Sequence, residues 1–220
     1  MRLFQVLSLF LLIPALASAD TLSFTGNLDP NNPNDVFLTS FNLVTTSDVH
    51  IQTWSYGGTS AAPGGTNAAS MVIPAGGFDT YISLFQGSGP SATFLTSDDD
   101  GGCGPAAPGP TFCEDSRLDL TSLAAGDYTL ALTLPFNYSF AENLGSGTLG
   151  DGFIGLQGDY YDSGSDEVRT SAYAVDITRT PSGSSTPPTT VTPEPSSFVL
   201  LATGLAASLT SLRRRWRSAQ

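Results

Sequence analysis

The chain has 220 residues, a formal net charge of −12 and no lysine. All twenty acidic residues lie between Asp20 and Glu194, where only three arginines oppose them, so this region carries a formal charge of −17. So negative a region repels nucleic acid, and we expect no nucleic-acid partner. Without lysine, P-loop and Ser-Lys chemistry are excluded as well.

The N-terminus has the pattern of a secretory signal peptide over residues 1–19. Arg2 precedes an apolar run from Leu3 to Leu16, and residues 17–19 (Ala-Ser-Ala) form a small-x-small cleavage site. The run is short for a membrane-spanning anchor, which favours removal by signal peptidase over retention. We therefore expect a signal helix, Sec-dependent export and Asp20 at the mature N-terminus.

Residues 20–179 are predicted to form one acidic, all-β domain. Val49, Ile51 and Thr53 alternate with polar residues, and the segment 128–134 (YTLALTL) alternates in the same way. Gly, Pro, Asn and Asp clusters bound each such run, and helical periodicity is absent. The pattern favours an antiparallel β-sandwich or jelly roll. Residues 180–192, rich in Pro, Ser and Thr, are predicted to be an extended linker.

The C-terminal segment 193–217 has three parts in a fixed order. An apolar stretch, 196–212, is long enough for a short transmembrane helix, and the arginines after it hold the C-terminus on the cytoplasmic side. The motif residues are Pro193, Glu194 and Pro195, and the stop-transfer residues are Arg213, Arg214, Arg215 and Arg217. This order resembles the PEP-CTERM sorting signal.

That resemblance implies a membrane-anchored precursor that an exosortase-type membrane enzyme processes near the motif. The protein would then reach the cell surface or the extracellular space, in contact with exopolysaccharide. A plain C-terminal tail anchor is the alternative.

A second resemblance covers most of residues 20–180. The segments that carry it are Asn34-Asp35-Val36-Phe37, 76–85 (GGFDTYISLF), 98–100 (DDD), Asp115-Ser116-Arg117-Leu118 and 123–130 (LAAGDYTL). Their order is similar to that of the bacterial pre-peptidase C-terminal domain, which implies a small β-sandwich and an accessory module that sometimes binds calcium or adheres to a substrate. An insertion around Cys103 and Cys113 and a Gly-rich stretch, 145–158, depart from the family pattern.

The acidic loop is the candidate metal site. Asp98 and Asp100 precede a Gly-Gly turn, and Asp115 returns to the base of the same loop. If the second resemblance holds, three more ligands approach from neighbouring loops, namely Asp79, Asn34 and Asp35. Calcium takes six to eight hard oxygen ligands, which such a set can supply. EF-hand spacing is absent, and a solvated acidic loop without any cofactor remains the alternative.

Cys103 and Cys113 enclose a short Gly/Pro-rich loop. In an exported chain such a pair favours a local disulfide over a metal site, since no histidine is near. The aromatic residues Trp54 and Tyr56, with Tyr160 and Tyr161, are expected to pack in the core or at strand edges more than to form a sugar-binding surface.

No catalytic residue is predicted. His50, the only histidine, lies on the polar face of a strand, and no Gly-x-Ser-x-Gly motif accompanies it. The sequence therefore favours a non-catalytic structural or interaction protein of the cell surface or matrix. A calcium- or carbohydrate-binding adhesion module is the alternative, and a hydrolase comes third.

Overall fold

A computed structural model describes residues 19–54, 56, 65–74, 76–101, 114–156 and 169–182. The predicted signal helix, both cysteines, Tyr160 and Tyr161, and the C-terminal segment 193–217 all lie outside these residues. Among the residues that are described, no helix is long and apolar enough to cross a membrane.

The regular secondary structure of the described residues is almost entirely β-strand, as the alternation predicts. They are β1 (Asp20–Asn27), β2 (Phe37–Leu43), β3 (Ser47–Thr53), β4 (Gly65–Thr66), β5 (Val72–Ile73), β6 (Tyr81–Gln86), β7 (Thr93–Asp98), β8 (Arg117–Leu123), β9 (Gly126–Thr133) and β10 (Ala172–Pro181). Among the described residues, helix occurs only as one turn of α1 (Phe140–Asn143) and a 3₁₀ turn (Leu149–Asp151). The all-β prediction is confirmed.

Two antiparallel four-stranded sheets contain most of these strands. Sheet A has the order β1-β10-β3-β8, sheet B has the order β2-β9-β6-β7, and β4 and β5 form a separate ribbon. The last strand, β10, lies between β1 and β3, so the first strand of the exported chain pairs with the strand that leads to the tail. Arg179 of β10 forms an ion pair with Asp20. β10 pairs with β3 as far as Pro181.

The hydrophobic faces of both sheets contribute to one core cluster. Ile51 and Ile177 enter it from sheet A, and Ile82 and Leu130 enter it from sheet B, all without solvent exposure. Each such side chain contributes roughly 1.5–3 kcal/mol when it is removed from water. Two sheets therefore bury their apolar faces in common, which explains why the strands alternate in sequence.

The other face of sheet B is also covered, which alternation does not predict. Ala131 of β9 and Phe85 of β6 form a second buried cluster with Ala92 and with Ala141 of α1. The segment around α1 thus lies over the central strands of this sheet. As a result β9 is buried on both faces, and its threonines at 129 and 133 are buried as well.

Candidate cation site

Strand pairing brings two acidic segments together at one end of sheet B. In the antiparallel β6–β7 pair, Ile82 lies opposite Asp98, so the residues before β6 lie beside the residues after β7. Asp79 precedes β6, and Asp99 and Asp100 follow β7. One carboxylate oxygen from each of these three residues lies within 4.8 Å of the other two. Three carboxylates from two separate loops thus converge on one point.

Asp79 is the buried member of this group. Its side chain is only 9% exposed, and its Oδ1 accepts no hydrogen bond from the described residues. Burial, followed by the negative charges of Asp99 and Glu114, raises the pKa of Asp79 to about 9. A buried carboxylate with an unsatisfied oxygen is costly, and a cation is one of the few partners that relieves that cost.

Asp99 is half-buried, and Asp100 is exposed. Burial and the adjacent charges of Asp100 and Asp98 raise the pKa of Asp99 to about 6. Its Oδ1 is buried and, like that of Asp79, accepts no hydrogen bond from the described part of the chain. Exposure thus increases from Asp79 through Asp99 to Asp100, so a cation can reach the group from solvent beside Asp100.

Asp98 lies next to the group but has a different role. Its Oδ2 accepts hydrogen bonds from the backbone N–H groups of Gly101, at 2.8 Å, and Arg117, at 2.7 Å. A Cβ on Gly101 would lie 2.5 Å from that oxygen, so only glycine fits there. Asp98 therefore holds the turn after β7 against the start of β8.

Asp115 supports the site from within a buried polar network. Its Oδ1 accepts from the Thr53 hydroxyl at 3.1 Å and from the Tyr56 N–H at 3.2 Å. The Thr53 hydroxyl in turn lies 2.7 Å from that of Thr80, the residue after Asp79. The negative charge of Asp115 also contributes to the raised pKa of Asp79. This network joins the end of β3 to the start of β6.

Asn34 and Asp35 do not join the group. They precede β2, which lies at the opposite edge of sheet B from β7, three strand spacings or roughly 14 Å away. Asn34 exchanges hydrogen bonds with the backbone of Leu156, and Asp35 accepts from the N–H groups of Asp29 and Val36. Asn34 therefore ties its turn to a distant segment, and Asp35 shapes its own turn.

Sequence reasoning placed Asp99 in the acidic loop but did not choose it as a ligand, and it did not single out Glu114. Asp98 is the last residue of β7, so it turns toward the backbone of β8, and the next two residues supply the free carboxylates. Glu114 directly precedes Asp115, and its backbone carbonyl accepts from the N–H of Thr80 at 3.2 Å. An acidic residue just before a predicted strand was the available signal for Glu114.

His50 and Trp54 lie away from the carboxylate group, whereas Tyr56 donates its N–H to Asp115. His50 Nδ1 is 2.6 Å from Asp119 on the polar face of β3 and β8, and Arg117 contacts the same carboxylate at 2.7 Å. Trp54 donates from Nε1 to Asp176 at 2.9 Å, and Tyr56 is buried. The Trp54 contact joins the end of β3 to β10, and the His50 contact joins β3 to β8.

Comparison with known proteins identifies the C-terminal segment. Residues 191–215 match the family of the PEP-CTERM protein-sorting motif. The chain carries a PEP-CTERM sorting motif. That motif implies a secreted, membrane-anchored precursor and processing by an exosortase, in agreement with the expectation drawn from the Pro-Glu-Pro tripeptide and the arginine cluster.

Similarity to a solved structure extends over most of the chain. No curated protein matches the chain. A crystal structure from Sulfurospirillum deleyianum is similar over 74% of this chain and 98% of its own, at 10% identity and a TM-score of 0.29. That score is too low to assign a fold.

Proposed function

We propose that this chain is a non-catalytic structural or interaction protein of the cell surface or extracellular matrix, delivered there by exosortase. The observation that carries the proposal is the PEP-CTERM motif at residues 191–215, behind an antiparallel β domain. We further propose that the two sheets form a β-sandwich, a shape that suits an extracellular module. The charge of the exported region favours solubility and association with cations over contact with anionic partners.

The tail suits transient retention in the membrane. The two prolines flanking Glu194 keep the segment before the apolar stretch extended, because proline lacks the N–H that a helix interior needs. The apolar stretch 196–212 is at the short end of the spanning range. Its arginines stay on the cytoplasmic side, so the motif faces outward. A processing enzyme in the outer leaflet would find the motif accessible.

Replacement of Pro193, Glu194 and Pro195 by alanine tests the sorting role. The variant should be exported but should remain full-length in the membrane fraction, whereas the wild-type chain appears as a shortened form outside. Replacement of Pro187 and Pro188 in the linker is the matched control and should leave processing unchanged. Normal shortening and release of the motif variant would refute motif-directed sorting.

The absence of catalysis is part of the same proposal. His50 Nδ1 lies 2.6 Å from the Asp119 carboxylate on the polar face of the sheet, so the ring is already engaged by a side-chain partner. The purified exported protein should therefore turn over neither glycans nor peptides. Measured turnover that His50→Ala abolishes would replace this proposal with a hydrolase.

A second function is favoured by the carboxylates at the end of sheet B. We propose that Asp79, Asp99 and Asp100 bind a hard divalent cation, for which calcium is the best match. Calcium accepts six to eight oxygen ligands in flexible geometry, and carboxylates are its preferred donors. The buried, unsatisfied Oδ1 of Asp79 supports this assignment over a solvated loop. Calcium titration by calorimetry should give one saturable site, and a folded protein that shows no binding would refute it.

A further inference from the structure

Glu114 is the acidic residue that lies beside the carboxylate group without being one of its three members. The N–H of Thr80, one residue after Asp79, donates to the Glu114 carbonyl at 3.2 Å, which fixes the two segments side by side. The Oε2 of Glu114 is buried and accepts no hydrogen bond from the described residues. The negative charge of Glu114 contributes to the raised pKa of both Asp79 and Asp99.

Tyr56 lies beside the Glu114 side chain, and its surroundings hold it in place. The residue is 2% exposed, and the Arg169 guanidinium carbon lies 3.7 Å from its ring centroid. Arg169 also donates from Nη1 to the Tyr56 carbonyl at 2.9 Å, and the Tyr56 N–H donates to Asp115. Burial, followed by a hydrogen bond to the Glu114 carboxylate, raises the pKa of Tyr56. A fixed phenol therefore orients one end of that carboxylate.

Resting on the proposed cation site, we infer that Glu114 is a fourth carboxylate ligand of the same cation and that Tyr56 is its positioning residue. Three carboxylates from sheet B leave several calcium coordination positions to fill, and a fourth carboxylate with water completes a usual shell. Ligand carboxylates are commonly oriented by a hydrogen bond from a neighbouring group, which is the role of Tyr56 here.

The fourth ligand changes what the cation does in the fold. Asp79 and Asp99 flank strands of sheet B, whereas Glu114 leads into β8 of sheet A. With Glu114 as a ligand, the cation joins the two sheets at one end and ties together both ends of the segment 100–114. Without Glu114, the cation would stabilise sheet B alone.

Calcium titration of the exported protein, purified in detergent, tests the inference with Glu114→Gln and a matched control. Glu114→Gln keeps size but removes the charge, and it should weaken calcium binding at least tenfold. Glu142→Gln is the control, because Glu142 of α1 also has a buried Oε2 without a partner in the described residues but lies outside the acidic group. The control should bind calcium as the wild type does.

Infrared spectroscopy of wild-type protein labelled with ¹³C-glutamate provides a measurement that does not depend on a variant folding. Calcium should shift a labelled carboxylate stretch, and that shift should persist in Glu142→Gln. In Tyr56→Phe the shifted band should appear at a different frequency, since the carboxylate loses its hydrogen-bond donor. A purely structural role of Tyr56 would leave that frequency unchanged.

The outcomes separate the two proposals. If the wild type binds calcium without a shift of any labelled carboxylate band, the role of Glu114 is overturned. The same follows if Glu114→Gln binds calcium with the affinity of the wild type. Either result leaves the three-aspartate site intact. A folded wild type that binds no calcium overturns the cation site itself. An unmoved band in Tyr56→Phe overturns the positioning role.

Discussion

Replacement of Asp79 by asparagine should have opposite effects on stability in the absence and in the presence of calcium. The side chain keeps its size, so packing is little changed. In the cation-free protein the substitution removes a buried carboxyl group that must either carry a proton or repel its acidic neighbours. With calcium bound, the same substitution removes a ligand charge.

The size of the first effect follows from the position of the carboxyl group. The pKa rises from 3.8 to about 9, so keeping the group protonated at pH 7 costs the folded state about 4 kcal/mol. A like charge at 4.8 Å gives a similar cost, about 3 kcal/mol at an effective dielectric constant of about 20. Asparagine keeps part of this cost, because burial of a polar group without a hydrogen-bond partner lowers the stability of the folded state by about 1–3 kcal/mol. The net gain of the variant should therefore be about 1–3 kcal/mol.

The size of the second effect follows from mass action. At a calcium concentration a hundredfold above Kd, binding stabilises the wild type by about 2.7 kcal/mol. Calcium should stabilise the variant much less. In calcium, the variant should therefore be about as stable as the wild type or less stable. Each kcal/mol corresponds to about 2–4 °C in the melting temperature of a domain of this size.

Thermal unfolding in chelator and in millimolar calcium measures both effects. Asp127→Asn is the matched control, because it makes the same charge change at an exposed site at the far end of β9, where Asp127 accepts from Asn42. In chelator and in calcium alike, its melting temperature should equal that of the wild type within about 2 °C. The reasoning fails if Asp79→Asn is less stable than the wild type in chelator, or if calcium raises the melting temperature of both proteins equally.

Three further predictions concern pH, the core and the cysteines. In chelator, the stability of Asp79→Asn relative to the wild type should increase as the pH rises from about 4 toward 9, because the wild type must retain a proton that the unfolded chain releases; a constant difference from pH 4 to pH 9 would contradict the raised pKa. Leu84→Ala should lower the free energy of unfolding by about 2–5 kcal/mol, since Leu84 is fully buried, whereas Leu144→Ala, at a site 73% exposed, should change it by less than about 0.5 kcal/mol; chemical denaturation measures both. Cys103 and Cys113 should resist thiol labelling in the non-reduced exported protein, and full labelling of either would exclude the disulfide.

The fold class could be predicted because its signal is local. Alternation in β3 and in β9 places Val49, Ile51 and Leu130 on one face of their strands, and those residues are buried. Each strand needs only its own sequence to show which face is apolar. The sorting motif is local in the same sense, because its three parts follow one another within the segment 193–217.

The candidate site could be predicted only in part. The acidic run 98–100 indicated the loop that supplies two of the three grouped carboxylates, but the sequence did not show which of its aspartates face Asp79. Asp98 binds the backbone of Gly101 and Arg117, and Asp99 takes the place that was expected for Asp98. That difference depends on where β7 ends, because side chains alternate in direction along a strand and a shift of one residue exchanges their roles.

What the sequence determined by itself is therefore the period of each strand, the charge of the exported region and the pattern of the two chain ends. The tertiary structure decided which loops meet. Asp79 reaches Asp99 because β6 pairs with β7, whereas Asn34 stays apart because β2 lies at the other edge of the same sheet. It also buried the second face of β9, under α1. Strand order and register depend on contacts between residues distant in the chain, and no local pattern encodes them.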